Sequence, residues 1–439
     1  MFKETSKELL DFLSKSPTAF HAVENYRQIL NADGFEELLE SEHWNIVPGG
    51  KYYVTRNNTS ILAFKVGTKL DNYSFNIVTS HTDSPTFKVK ENAEIEVKNK
   101  YTQLNTEGYG GMLCATWLDR PLSIAGRVLV SEGNSIVTKL LNIDRDLLMI
   151  PNVAIHMNRA ANDGFKYNLQ VDMLPLLSAG DDRQKDFKQI IADELGVKKE
   201  DILGHDLYLY NRMAPSIWGA NEEFISAGHL DDLQCGFASL KALLAGYNDE
   251  SIDIMACFDN EEVGSGTKQG ADSTLLRDTL TRINSALGKT EEDYHRALAS
   301  SFMLSADNAH AVHPNHPEHT DATNCTYMNE GVVVKSHAGQ KYTSDGVSMA
   351  VVKALASGAD VPLQYFSNRS DKAGGSTLGN IAMAQASMNA VDIGLPQLAM
   401  HSSYETAGIK DTYYAITLMK ALFDSHIQET STHSLEIKR

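Results

Sequence analysis

Basic residues are in the minority in this chain: 39 lysines and arginines face 57 aspartates and glutamates, a formal net charge of -18. A nucleic-acid backbone is gripped by a basic face, so this balance excludes nucleic acid as the main partner. Cysteine is scarce as well. Cys114, Cys235, Cys257 and Cys325 stand far apart, without the paired spacing of a zinc knuckle or redox couple, and read as reduced packing thiols of a cytoplasmic protein. Long apolar runs are missing: no stretch approaches the roughly 20 residues of a membrane span. The opening Met1-Phe2-Lys3-Glu4 mixes charge into a region that a secretory leader keeps apolar. Repeats and low-complexity segments are absent too.

What is present is a chain of 439 residues, 42% of them apolar, enough for a full core in two domains or in one with an insertion. Ser16-Pro17 opens an expected helix with its apolar face on Phe20, Val23, Tyr26, Ile29 and Leu30 and Gly34 as its stop. Strand patterns follow at Tyr52–Val54, Ser60–Val66 and Phe75–Thr79, the last running into Ser80-His81-Thr82-Asp83. From Thr86 to about Ala227 short alternating runs such as Gly126–Val130 predict an inserted β-rich segment, with a charged, solvated helix near Asp181 to Asp201. Alternating helices and strands then resume. A helix through Phe237, Leu240 and Leu243 precedes the strand Ile252–Phe258, and a helical segment near Leu275 to Ala286 precedes the strand Phe302–Ser305. Gly374-Gly375-Ser376-Thr377 leads into an expected small-residue helix near Ile381 to Val391.

Polar residues that terminate these apolar segments form a distinct set: His81 and Asp83, Asp231 and Asp232, Glu261 and Glu262, Asp307, and His401. In open α/β sheets, chemistry collects beyond the carboxyl ends of strands. Imidazole and carboxylate donors suit zinc or a similar divalent ion, and two histidines with three carboxylates match two ions sharing one bridging carboxylate. Other clusters carry less. Pro314 and Pro317 keep the run His310 to His319 from forming one helical face, so it reads as a loop outside the primary ligand set. Gly264 to Gly270 fits neither phosphate-loop nor dinucleotide spacing, and no Gly-x-Ser-x-Gly elbow accompanies His401-Ser402.

These residues resemble the aspartyl aminopeptidases of metallopeptidase family eighteen. The likeness runs from Phe12-Leu13-Ser14-Lys15-Ser16-Pro17 through His81-Thr82-Asp83-Ser84-Pro85 and Tyr109-Gly110-Gly111 to Asp259–Ser265, Ser305-Ala306-Asp307 and Leu398-Ala399-Met400-His401-Ser402. It implies an α/β fold in which helices sandwich a mixed β-sheet, zinc exopeptidase-like, with an inserted β-rich dimerisation domain. The expected division is 1–86 and 228–439 for the catalytic domain and 87–227 for the insert. By resemblance, His81, Asp231, Glu262, Asp307 and His401 hold two divalent ions, zinc first, with cobalt and manganese as alternatives. Asp231 bridges them, Asp83 orients His81, and Glu261 is the general base for removal of a peptide's N-terminal residue. Lys335 and Tyr342, with Lys341 beside them, are implied to face the first side chain and to favour Asp or Glu. His156 is implied to reach a neighbour's active site within a tetrahedral dodecamer. The competing readings are a broader aminopeptidase, a carboxypeptidase or deacylase on the same scaffold, and an inactive self-assembling cargo-binding shell.

Overall fold

The computed structural model describes residues 1–375 and 377–439, so Ser376 of the expected Gly374–Thr377 turn lies outside the described residues. A nine-stranded mixed sheet organises the chain. Four neighbouring strands at its centre, Ser251–Phe258, Ser74–His81, Phe302–Ala306 and Asn389–Gly394, run parallel. Every residue of Ser251–Phe258 and of Ser74–His81 is buried. Such strands have both faces covered, which is why Ile252–Phe258 reads as a nearly continuous apolar run. The polar exception Asp253 is paired, since Asn76 Nδ2 donates to its Oδ1 at 3.1 Å.

Helices cover both faces of this sheet. Phe2–Ser14, Leu230–Ala245 and Asp411–Phe423 pack on one core with Val78, Met255 and Leu304. Leu275–Ala286, Glu291–Ala299 and Leu378–Gln385 pack on the other with Ile77, Ile254 and Met303. Odd and even residues of one strand thus feed opposite cores, as the period of two requires.

A second sheet of six strands is built between Thr86 and Asn211 and has its own core around Phe87, Trp117 and Phe187. The end of the expected insert belongs elsewhere in the hydrogen-bond pattern. Ser216–Trp218 and Phe224–Ala227 lie in a five-stranded sheet with Glu405–Gly408, Pro396–Leu398 and Ala309–His310.

Several local expectations need correction. The helix expected from Ser16 starts at Ala19, with Thr18 flanking it. Ser16 instead donates its hydroxyl to Phe12 O and so closes the preceding helix Phe2–Ser14, which the charged N-terminal sequence did not announce. Within the charged stretch 181–201, only Phe187–Leu195 is α-helical, capped by Asp186 and stopped by Gly196 in the left-handed region. The late helix ends at Gln385, and Asn389–Gly394 is a strand. There the β-branched Val391 and Ile393 fit a buried sheet position, and this tertiary context outweighs the helix formers before them.

Candidate metal centre

His81 is the last residue of Ser74–His81, Asp307 follows Phe302–Ala306, and Glu261 and Glu262 lie in the single 3₁₀ turn after Ser251–Phe258. Parallel strands in register bring these ends to one edge, with Phe258 paired to His81. Asp231 arrives in the first turn of Leu230–Ala245, and His401 in the loop between Pro396–Leu398 and Glu405–Gly408. The structure thus brings His81, Asp231, Glu262, Asp307 and His401 together.

Asp231 faces two ways. Its Oδ1 lies 3.5 Å from His81 Nε2, which is 3.9 Å from Asp307 Oδ1. Its Oδ2 lies 3.5 Å from His401 Nε2, which is 3.4 Å from Glu262 Oε2. Donors about 2.0–2.1 Å from one tetrahedral ion sit roughly 3.4 Å apart. Two such groups, His81–Asp231–Asp307 and Asp231–Glu262–His401, therefore share one carboxylate.

The charges of the pocket point the same way. Burial pushes Glu262 and Asp232 well above the usual carboxylate range, with Asp231 adding to both. Burial also carries Glu261 up to about 7, against the pull of His81, and Asp307 up to about 6, against the pull of Lys335. His401 rises to about 10: burial opposes this, but Asp231 and Glu262 outweigh it. Asp231 is held below its ordinary value although burial opposes that too, because His401 and His81 flank it. Asp231 Oδ1 and Glu262 Oε1 are buried without a hydrogen-bond partner in the protein. Orphaned anionic oxygens at the focus of two imidazoles are what a divalent cation satisfies, and the donor set fits zinc.

Around the candidate ligands lies a shell of fixed hydrogen bonds. Asp83 Oδ1 accepts from Glu261 N at 3.1 Å and Oδ2 from Glu262 N at 3.2 Å. Its Oδ1 is 3.4 Å from His81 Nδ1, and its own carbonyl oxygen is closer to that nitrogen, at 3.1 Å. Tyr109 donates its hydroxyl to Asp83 Oδ2 at 2.6 Å and accepts from Asn260 Nδ2 at 2.8 Å. Gly111 O meets His401 Nδ1 at 2.7 Å, which leaves Nε2 to the ligand cluster. Tyr109 and Gly111 come from the six-stranded unit, so that unit contributes to the centre of its own chain. Sequence reading took Tyr109-Gly110-Gly111 only as a mark of the insert. Glu405, four residues after His401 and the first residue of the strand Glu405–Gly408, was missed as well.

The remaining predicted residues lie at different distances from chemistry. Lys335 is 3% exposed, donates to Asn308 O at 2.8 Å, and stands 3.7 Å from Asp307 Oδ2 and 5.7 Å from the Tyr342 ring centroid. Tyr342 is buried against Ala309, Val333 and Phe366, and Lys341 donates to Gly374 O. His156 is exposed in an irregular stretch between the exposed side chains of Ile155 and Met157. His316, Glu318 and His319, from the histidine-rich run, form an exposed group of their own.

The chain is similar to known metallopeptidases. A family model described as aminopeptidase I zinc metalloprotease (M18) matches residues 12–423. A probable M18 family aminopeptidase 2 of Clostridium novyi is 48% identical over 425 residues, covering 95% of this chain and 98% of the relative. A chain of the Ape4–Nbr1 complex superposes with a TM-score of 0.93 at 35% identity, covering 96% of this chain and 86% of that one. The S. cerevisiae mApe1 dodecamer gives 0.84 at 28%, covering 96% and 97%.

Proposed function

Because this chain belongs to the M18 family and is a zinc metalloaminopeptidase, we propose that it works with two zinc ions and prefers acidic N-terminal residues. The observation that carries the two-ion reading is the split of Asp231, one oxygen turned to His81 and the other to His401. Zinc in such a site supplies Lewis-acid polarisation of the scissile carbonyl and makes bound water acidic.

Within this reading the two glutamates part company. Glu262 turns Oε2 towards His401 and acts as a ligand. Glu261 has its backbone N–H clamped by Asp83, while its carboxylate lies within reach of the His81 donor without belonging to either Asp231-containing group. Burial raises its proton affinity above that of an ordinary glutamate, as suits a general base that must both accept and return a proton. Glu261 takes the proton from the attacking water and delivers it to the departing amine.

Support for acidic specificity comes from Lys335. Its ammonium carries three donors, and the Asn308 carbonyl takes one of them. A substrate carboxylate beside Tyr342 would complete a charge-assisted pair. The same residue supports a second reading, a broader aminopeptidase, because Asp307 lies 3.7 Å away and cancels part of the charge. A panel of substrates with Asp, Glu, Leu or Arg at the N-terminus, assayed with the zinc content of the same preparation, separates the two. Equal kcat/KM across the panel would remove the acidic preference.

We also assign a homododecameric assembly, the state of the mApe1 relative, with residues 87–227 as the pairing unit. The exposed apolar side chains of Val153, Ile155 and Met157 beside His156 support this, since surface apolar groups gathered in one segment mark contact sites. The four cysteines are unpaired, in keeping with a cytoplasmic location.

A further inference from the structure

Glu405 is 2% exposed and stands apart from the chemistry assigned so far. Its two oxygens are aimed at two different backbones. Oε2 accepts from Asp231 N at 3.0 Å, and Oε1 accepts from His401 N at 2.8 Å. These amides belong to the shared ligand and to the ligand contributed from the far end of the chain. We propose that Glu405 is the positioning residue of the metal centre: its carboxylate ties the segments carrying Asp231 and His401 and fixes the separation of the two ligand groups. The inference rests on the two-zinc reading.

Sheet geometry explains how one side chain reaches both amides. Glu405 begins a strand that pairs with Ala227 on one side and with Pro396–Leu398 on the other. From Ala227 the chain continues through four residues to Asp231, and His401 lies four residues before Glu405. The two ligand-bearing segments therefore leave the strands on either side of Glu405–Gly408, and the Glu405 carboxylate spans the gap between them. His401 needs such an anchor, because its φ of 67° and that of Ala399 at 56° lie in the left-handed region. Non-glycine residues stay there only where the surroundings hold them.

The tie extends inward. Gln397 Nε2 lies 3.5 Å from Glu405 Oε1, and Gln397 Oε1 accepts from Asn308 Nδ2 at 3.0 Å. Asn308 Nδ2 also lies 3.0 Å from Leu230 O, the carbonyl preceding Asp231. Asn308 itself follows Asp307. A buried polar network is worth its desolvation when every member is satisfied, and it then specifies one geometry. Taking a carboxylate out of water costs desolvation, so a stability role alone does not call for a carboxylate here. Two outward-facing acceptors on one planar group do.

The test compares wild type with Glu405→Gln, whose amide offers one acceptor to the two N–H groups, and with Gln397→Met, which keeps Glu405 but frees it from Asn308. Zinc affinity is read by chelator competition on the full-length protein, alongside apo-protein melting and separate kcat and KM. For Glu405→Gln the expected result is zinc binding weakened roughly 10–100-fold, a fall in kcat at limiting zinc, little change in KM, and an apo-protein that still folds, with its melting temperature lowered by the loss of one buried acceptor. Gln397→Met is expected to show a smaller loss in the same direction. An affinity of Glu405→Gln within about threefold of wild type, far short of the usual loss, would overturn the proposal. If apo Glu405→Gln does not fold, Gln397→Met decides, and unchanged zinc affinity there overturns it. Wild type that binds fewer than two zinc ions sinks the two-ion reading instead, whatever the variants do.

Discussion

Glu261 and Glu262 are chemically identical neighbours, and the 3₁₀ turn that carries them gives each a different environment. Asn260 enters that turn with φ at 63° and Gly264 leaves it at 95°, while Asp83 holds both glutamate amides from below. With the backbone fixed, a one-residue offset sends one carboxylate towards His401 and leaves the other beside His81. Glu261→Gln is isosteric and leaves all five proposed ligands intact, so zinc content should match wild type while kcat falls by about 10²–10⁴. Elemental analysis paired with steady-state kinetics checks this, and a variant with near-normal kcat would rule Glu261 out as the base. Lys335→Ala should erase any preference for Asp and Glu over Leu, read as the ratio of kcat/KM values. Because Lys335 also faces Asp307, some loss of activity towards every substrate is expected with it.

At the level of elements, the strand Tyr101–Tyr109 does more than close the six-stranded sheet. Its last side chain is the hydrogen-bond donor to Asp83, and the next residue, Gly110, has φ at 73°, where a side chain is strained, and a Cβ there would lie a tight 3.1 Å from Glu262 Cβ. Tyr109→Phe removes a donor to a buried carboxylate, a change worth about 1.5–3 kcal/mol. It should lower the melting temperature and kcat while zinc remains bound, and an unchanged pair of values would show that Asp83 needs no support from that unit. The helix Ala19–Ala32 yields a prediction about pH. Burial lowers His21 to about 4 against the opposing effect of Glu24, and Thr18 Oγ1 lies 2.9 Å from its Nδ1. A histidine whose folded-state value is depressed binds fewer protons than the unfolded chain between pH 4 and 6.5. Its contribution is complete above about 6.5 and is lost as the pH falls towards 4, by at most about 3 kcal/mol. His21→Gln should flatten the melting-temperature curve across that window.

These cases show what the sequence could and could not reveal. Ser60–Val66 and Leu275–Ala286 were legible to the residue because apolar periodicity alone defines them. Polar residues at strand ends, His81, Asp307 and the Glu261-Glu262 pair, were legible because a buried run stops abruptly at each. Tyr109, Gly111 and Glu405 were not. Two of them act on a backbone amide or through a backbone carbonyl, and all three meet partners far away in the chain, so no local pattern marks them. The helix Phe2–Ser14 was hidden for another reason: its buried face of Leu9, Leu10, Phe12 and Leu13 is interleaved with charge.

For the whole molecule, the centre is a concentration of negative charge that the fold alone does not neutralise. Chelation of zinc should leave Asp231 Oδ1 and Glu262 Oε1 without partners, and the apo-protein should melt below the loaded form. The stabilisation expected from a ligand present at about 100 times its dissociation constant is about 2.7 kcal/mol. Calorimetry with graded zinc measures it, and a melting temperature independent of zinc would deny the site. Assembly makes a separate prediction. Charged substitutions at Val153 and Met157 should release folded protomers with bound zinc but little turnover, if His156 acts across the interface. Light scattering with kinetics on the separated species tests this, and full activity in monomers would exclude that role.

The clasp between Gly111, Tyr109 and the ligand shell also bears on how the enzyme is made. His81 is synthesised early and His401 late, and the imidazole of the latter is oriented by a carbonyl from the six-stranded unit lying between them. If His401 is a ligand as proposed, a nascent or truncated chain lacks a finished ion-binding site even where its central strands have formed. On that reading, zinc retention becomes a report on completed folding: premature termination, or a misplaced insert, should yield a protein that holds its metal poorly and removes few N-terminal residues.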